Sequence, residues 1–335
     1  MSDTVAIVGA GAWGTALAVH LAGVAAPPAL RLWARDSTAA RAIAASRENS
    51  RYLPGIAIPS EIEVDFELSR AIAGASLIIV ATPIGALTGI VQSLRTQTKA
   101  PLAWLGKGFV AAAEAPGVAL AHRVIAPMWP APVGVISGPS FAEEVARRLP
   151  TAISVAATEP DFAQSIAQRL RGDTLRAYVS DDLTGTEVGG AVKNVLAIAA
   201  GASDGLGFGN NARAALITRG LAETARLAVA LGGRRETLTG LSGLGDLVLT
   251  CTGDLSRNRR VGLGLGRGES LAAILAALGH VAEGVSAARA VHTLAAALLV
   301  DMPICEAVYR VLYEDLPPRR AVETLLAREP GPEFQ

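Results

Sequence analysis

Cysteine is nearly absent: two residues, Cys251 and Cys305, in a chain of 335. Two thiols make neither a disulfide framework nor a metal cluster, and the expectation is a pair of reduced thiols in a cytoplasmic protein. Excess charge is missing as well. Thirty Lys+Arg balance thirty Asp+Glu, so there is no footprint of a nucleic-acid or membrane-surface partner. A locally basic pocket for a small anion stays open. Long apolar runs are also lacking, despite a mean hydropathy of +0.39. The richest stretches, Val188–Ala202 and Ala290–Val300, contain Lys193 and His292 and fall short of the roughly 20 apolar residues of a membrane span. No basic leader precedes the first apolar run at Thr4, so no secretory signal is expected.

What is present suits a packed protein of two domains: 51% hydrophobic and 18% charged residues over a length too great for one ordinary core. Short apolar runs at Val5–Val8, Leu30–Trp33, Leu77–Ala81, Leu102–Leu105, Val133–Ile136 and Ile153–Ala157 alternate with helical periods at Thr15–Ala22, Ser37–Ala45 and Ile84–Leu94. This rhythm predicts a parallel sheet with helices on both faces. From about Asp181 the strand signals fade. Ala/Leu-rich helical patterns follow at Glu187–Ala200, Arg213–Leu231, Ser286–Val300, Ile304–Tyr313 and Pro318–Ala327. The fold class is α/β, a Rossmann-type N-terminal domain over residues 1–182 followed by an all-α domain over 183–335, with Glu329–Gln335 expected to be loose.

The segment Val5-Ala-Ile-Val-Gly9-Ala-Gly11-Ala-Trp-Gly14 is a Gly-x-Gly-x-x-Gly turn between an apolar strand and a helix. Gly9 permits the tight turn, Gly11 lets the backbone approach a pyrophosphate, and Gly14 brings the helix against the strand. The helix N-terminus then offers N–H groups and a positive dipole end to phosphates. The setting points to a nicotinamide-dependent oxidoreductase. At the end of the second strand Arg35 suits the 2′-phosphate of NADP, where an NAD enzyme often carries an acid. An exposed strand-end charge is the plainer explanation of Arg35. Asp36 is a ribose ligand or the cap of the next helix.

Hydride transfer needs a proton donor and a substrate clamp from the protein. Lys193, in the apolar run Gly189-Gly-Ala-Val-Lys-Asn-Val-Leu-Ala, is the candidate acid/base, because burial pulls an ammonium pKa toward neutrality. The alternative is a lysine snorkelling from a helix edge. Gly106-Lys107-Gly108 and Ser137-Gly138-Pro139-Ser140-Phe-Ala142 follow strands, at the sheet end where ligands bind; each is a binding loop or an ordinary turn. The densest signal runs from Gly240 to Arg260. It sets Asp246 in apolar surroundings, where an unpaired carboxylate is costly. Ser256, Arg257, Asn258 and Arg259 then open a helix, an arrangement that seats a phosphate; the alternative is a solvated basic helix start.

Together these stretches resemble the bacterial-type NAD(P)-dependent glycerol-3-phosphate dehydrogenases. The resemblance spans nearly the whole chain and rests on Gly9–Gly14, Ser137-Gly-Pro-Ser-Phe-Ala142, Gly190-Ala-Val-Lys-Asn-Val195 and Gly243–Arg260. It implies Lys193 as proton acceptor. Lys107, Gly138, Ser140, Asp246, Ser256, Arg257 and Asn258 would contact glycerol phosphate or dihydroxyacetone phosphate. Gly9, Gly11, Ala12, Trp13, Gly14, Arg35, Lys107, Ala142, Arg257, Val281 and Glu283 would line the dinucleotide, NADPH being favoured over NADH. The residues themselves mark Gly279–Gly284 as no more than a connection between helices. One departure is Gly106, where the family usually carries a hydroxyl residue; a changed Michaelis constant is expected. The Ala-rich helices bury either a homodimer face or only an internal core. The competing readings are a ketopantoate-type or β-hydroxyacid reductase, which would recognise a carboxylate, and a dinucleotide sensor without turnover, which would lack the lysine.

Overall fold

In the computed structural model, residues 3–279 and 282–328 are described. The expected loose tail at Glu329–Gln335 therefore lies outside them. Eight strands form one sheet: β1 (Thr4–Val8), β2 (Ala29–Trp33), β3 (Ile62–Asp65), β4 (Leu77–Val80), β5 (Leu102–Trp104), β6 (Val133–Ser137), β7 (Thr151–Ala157) and β8 (Leu175–Ser180). Their order across the sheet is β8-β7-β6-β5-β4-β1-β2-β3, with the run from β3 to β6 all parallel. This is the doubly wound arrangement, in which the crevice beyond the carboxyl ends of β1 and β4 is the place for a ligand.

The central strands are apolar without a break because both of their faces are covered. In β1, Val5 and Ile7 face the core that contains Leu17 and Leu21 of helix α1 (Ala12–Ala22). Ala6 and Val8 face the opposite core, with Leu87, Val91 and Leu94 of the helix α3 (Leu87–Arg95) that comes after α2 (Ser37–Ser46).

Three differences from the sequence expectation have physical causes. First, β7 runs antiparallel to β6, where a parallel strand was expected. The connection between them holds only a five-residue helix, Ala142–Ala146, which packs on α1 instead of crossing the sheet. The chain therefore re-enters from the same end. Second, β3 and β8 were not expected as strands. They are the two sheet edges, and their polar and exposed residues (Glu63, Arg176, Tyr178) erase the apolar run that marks an inner strand. Third, Pro160–Leu170 is a helix, α4, between the last two strands.

The helical half is wound on α5 (Leu183–Gly205), which is buried along almost its whole length. Around it lie α6 (Gly209–Ala230), α7 (Asp246–Thr252), α8 (Arg257–Gly266), α9 (Leu271–Leu278), α10 (Glu283–Leu298), α11 (Pro303–Tyr313) and α12 (Pro318–Leu326). Helices α5 and α8 touch backbone to backbone. A Cβ on Gly201 would stand 2.0 Å from the carbonyl oxygen of Arg259, and one on Gly262 would stand 1.9 Å from that of Ile198. Both cysteines are free and buried, and burial pushes the Cys251 thiol up to about 12. Among the described residues no helix is long and apolar enough to cross a membrane.

Candidate active site

The glycine turn leaves β1 with Gly9 at φ +123°, in the region only glycine adopts freely. Gly14 has no room for a side chain, since a Cβ would lie 1.9 Å from the Gly9 carbonyl oxygen. Gly11 is different. Nothing lies within 4 Å of the position of its missing Cβ, and as N-cap of α1 it makes no side-chain cap. The first N–H groups of α1 therefore face open space beside bare backbone, the shape a pyrophosphate requires. Next to the turn, the buried Oγ1 of Thr82 has no hydrogen-bond partner among the described residues. A dinucleotide fits this cradle: it supplies acceptors for the helix N–H groups and a partner for the orphaned hydroxyl.

Around the cradle, Trp13 Nε1 donates to the carbonyl oxygen of Ser140 at 2.9 Å. This bond ties α1 to the loop after β6, and Ala142 opens the short helix that leaves that loop. Arg35 is exposed at the end of β2. The carboxylate of Asp36 caps α2, accepting from the N–H groups of Thr38 and Ala39 at 2.8 and 3.2 Å, which settles its role as the cap. Glu283, half-buried at the start of α10, accepts from the N–H of Ile84 at 3.3 Å. Burial raises its carboxyl pKa. Its position bridges the helical half to the turn after β4, and no local sequence signal marks it. Val281 lies outside the described residues. At Gly106 a Cβ would meet the Ile84 nitrogen at 3.0 Å and the Thr82 oxygen at 3.1 Å. The space for a side chain there is taken by the Thr82–Ile84 backbone.

The two candidate lysines meet on one carboxylate. Asp246, only 1% exposed, accepts from Lys193 Nζ on Oδ1 and from Lys107 Nζ on Oδ2, each at 2.5 Å. Lys193 also donates to Thr250 Oγ1 at 2.9 Å, and Lys107 to the carbonyl oxygen of Gly138 at 3.0 Å. Gly138 has a positive φ, +118°. The Ser140 hydroxyl donates to the same carbonyl at 2.9 Å. Burial among Gly, Ala and Val of α5 drives the Lys193 pKa down to about 8; Asp246 opposes the shift and Lys107 adds to it. Thr250 escaped the sequence reading. It stands four residues after Asp246, on the same helix face, and that spacing was its only signal.

A second cluster sits at the start of α8. The Ser256 hydroxyl accepts from the N–H of Arg259 at 3.2 Å as the cap, and Arg257 is exposed. Asn258 is buried: its Nδ2 donates to Asn194 Oδ1 at 2.9 Å, and its Oδ1 accepts from the N–H of Gly284 at 3.0 Å. Asn194 Nδ2 reaches the carbonyl oxygen of Lys107 at 3.5 Å. The structure thus brings Lys107, Gly138, Ser140, Lys193, Asp246 and Asn258 into one connected network. Arg35 stays apart, since the ends of β1 and β4 lie between it and Lys107.

Residues 4–163 match the family model described as NAD-dependent glycerol-3-phosphate dehydrogenase N-terminus, and residues 182–323 match that family's C-terminus. The glycerol-3-phosphate dehydrogenase [NAD(P)+] of Aromatoleum aromaticum is 55% identical to this chain, covering 97% of it and 98% of that protein. The protein of the same name from Dechloromonas aromatica is 52% identical over 98% of this chain and 99% of its own length. The crystal structure of glycerol-3-phosphate dehydrogenase from Coxiella burnetii superimposes with a TM-score of 0.92 at 43% identity, over 98% of this chain and 99% of that one. With both halves of the family model matched in order along one chain that carries the glycine turn and the paired lysines, this protein belongs to the NAD-dependent glycerol-3-phosphate dehydrogenase family.

Proposed function

We propose that this protein reduces dihydroxyacetone phosphate to sn-glycerol 3-phosphate with NADPH or NADH, reversibly, and so supplies glycerophospholipid synthesis. The observation that carries the reading is the buried Lys193–Asp246–Lys107 system at the carboxyl end of the sheet. When bound, the dihydronicotinamide supplies the hydride that reaches C2 of the ketone. Lys193, as its ammonium, gives a proton to the C2 oxygen as that oxygen gains charge, and as the free amine it takes the proton back in the oxidation. Asp246 holds Lys193 in place, and Thr250 fixes the direction of Nζ. Lys107 presents a second positive charge to the substrate from the opposite side of Asp246. Two lysines on one carboxylate leave the centre with more basic than acidic groups, which suits an anionic substrate better than a neutral one.

In this reading the first turn of α8, with Ser256, Arg257 and Asn258, takes the phosphate, and the binding energy of that remote group orients the carbonyl. Gly138 and Ser140 close the substrate side. The turn Gly9, Gly11, Ala12, Trp13 and Gly14, with Ala142, Arg257, Val281 and Glu283, holds the dinucleotide; Arg35 at the end of β2 favours NADPH through its 2′-phosphate. Residues 1–182 act as the dinucleotide domain and 183–335 as the substrate domain. The reading is of a cytoplasmic enzyme, supported by its two unpaired, buried thiols, and of a homodimer. The deciding experiment is an absorbance assay of NADPH and NADH oxidation with dihydroxyacetone phosphate beside ketopantoate and other ketoacids. Turnover confined to the phosphate ester is expected; turnover confined to the ketoacids would assign the site to a carboxylate substrate.

A further inference from the structure

Asp204 lies eleven residues beyond Lys193 on α5, about 16 Å along the helix axis and out of reach of the proton-transfer centre. Its carboxylate is only 11% exposed and takes part in no step described above. Its Oδ2 accepts three N–H groups from two arginines: Nε and Nη2 of Arg259 at 3.0 and 2.8 Å, and Nη1 of Arg213 at 2.9 Å. Arg259 belongs to the first turn of α8. Its backbone N–H donates to Ser256 Oγ and its Nη1 to Asp254 Oδ1 at 2.9 Å. Asp254 is fully in water (97% exposed), so that bond holds little. The buried partner of Arg259 is Asp204, beside the bonds that Asn258 makes to Asn194 and Gly284 in the same turn.

Packing of α8 on α5 does not need this ion pair. Backbone contacts at Gly201 and Gly262 already fix the two helices, and a buried ion pair adds little net stability over an apolar contact. What the pair does fix is orientation, because two N–H groups of one planar guanidinium converge on a single buried carboxylate oxygen and leave the side chain little freedom. Arg259, so held, ties the turn that carries Ser256, Arg257 and Asn258 to α5 through its side chain, beside the backbone contact at Gly201.

We propose that Asp204 is a positioning residue for phosphate recognition, acting through Arg259 to aim the first turn of α8 at the phosphate. This rests on the reading that this turn takes the phosphate. In the Asp204→Asn variant, kcat/KM with dihydroxyacetone phosphate is expected to fall about tenfold to a hundredfold, the scale of a small misplacement of a bound group. The loss is expected in KM, with a matching rise in the inhibition constant of inorganic phosphate. Turnover of unphosphorylated dihydroxyacetone is expected to stay at its wild-type value. Equal losses with both ketones, or no loss, overturn the proposal. Should Asp204→Asn fail to fold, Arg259→Lys is expected to show the same split, and equal losses there overturn it too. A wild-type protein that does not prefer the phosphorylated ketone strikes the underlying reading instead.

Discussion

The two ends of the proposed site are built by different means. At the β1–α1 end, recognition is built from backbone: a turn without side chains, helix N–H groups left unpaired, and empty space over Gly11. At the α5–α7 end it is built from buried ions, two lysines on one carboxylate at 2.5 Å. The backbone end is tolerant of solvent and needs only shape. The ionic end works by desolvation, which is what brings the Lys193 pKa to about 8. A proton donor requires that shift and a phosphate cradle does not.

The sharpest way to break the comparison is Lys193→Ala. Turnover should fall about a thousandfold, the range of a lost general acid, while the dinucleotide dissociation constant measured by fluorescence titration stays near wild type. A variant with near-normal kcat would remove Lys193 from proton transfer. On the proposed role of Lys193, the same group should set the pH profile of the wild-type protein. Its charged form is the acid, so kcat/KM for the reduction should hold below pH about 8 and decline above it, while the oxidation rises toward that pH. A reduction rate that climbs through pH 9 would reverse the assignment.

At the backbone end, two glycines separate structure from binding. Gly14→Ala forces a methyl against the Gly9 carbonyl and should cost about 1–3 kcal/mol in denaturant unfolding, the range for overpacking. Gly11→Ala points its methyl into open space. It should leave the unfolding midpoint unchanged and weaken dinucleotide binding on the order of tenfold, by occupying the approach to the pyrophosphate. Equal stability losses in the two variants would show that Gly11 is structural too. An effect of the same size, confined to one cofactor, belongs to Arg35→Ala: KM for NADPH should rise about tenfold, the worth of one hydrogen bond to a charged group, with KM for NADH unmoved. Parallel rises for both cofactors would take the 2′-phosphate away from Arg35.

Much of this was legible before the fold was known. The Gly9–Gly14 turn, the βα alternation and a lysine in an Ala/Gly/Val helix are local patterns, and local patterns reflect constraints that act within a few residues. Lys107, Lys193 and Asp246 were each recognisable as a charge in an unexpected setting. The meeting of all three on one carboxylate was not, because it joins residues 53 and 139 positions apart. Glu283, bonded to Ile84 across 199 positions, left no trace in its own neighbourhood. The edge strands β3 and β8 were invisible for the opposite reason: with one side in water, they need no continuous apolar run.

The sequence by itself determined the element types of the sheet half, the dinucleotide turn and the chemistry available to the site, because side-chain period, glycine spacing and residue type are all local. Only the tertiary structure decided which charges pair. It also decided that Asp36 is spent on a helix cap, that β7 turns back antiparallel, and that Arg259 is held from below by Asp204. Each of these depends on burial and distance between segments remote in the chain, and those arise only when the chain packs.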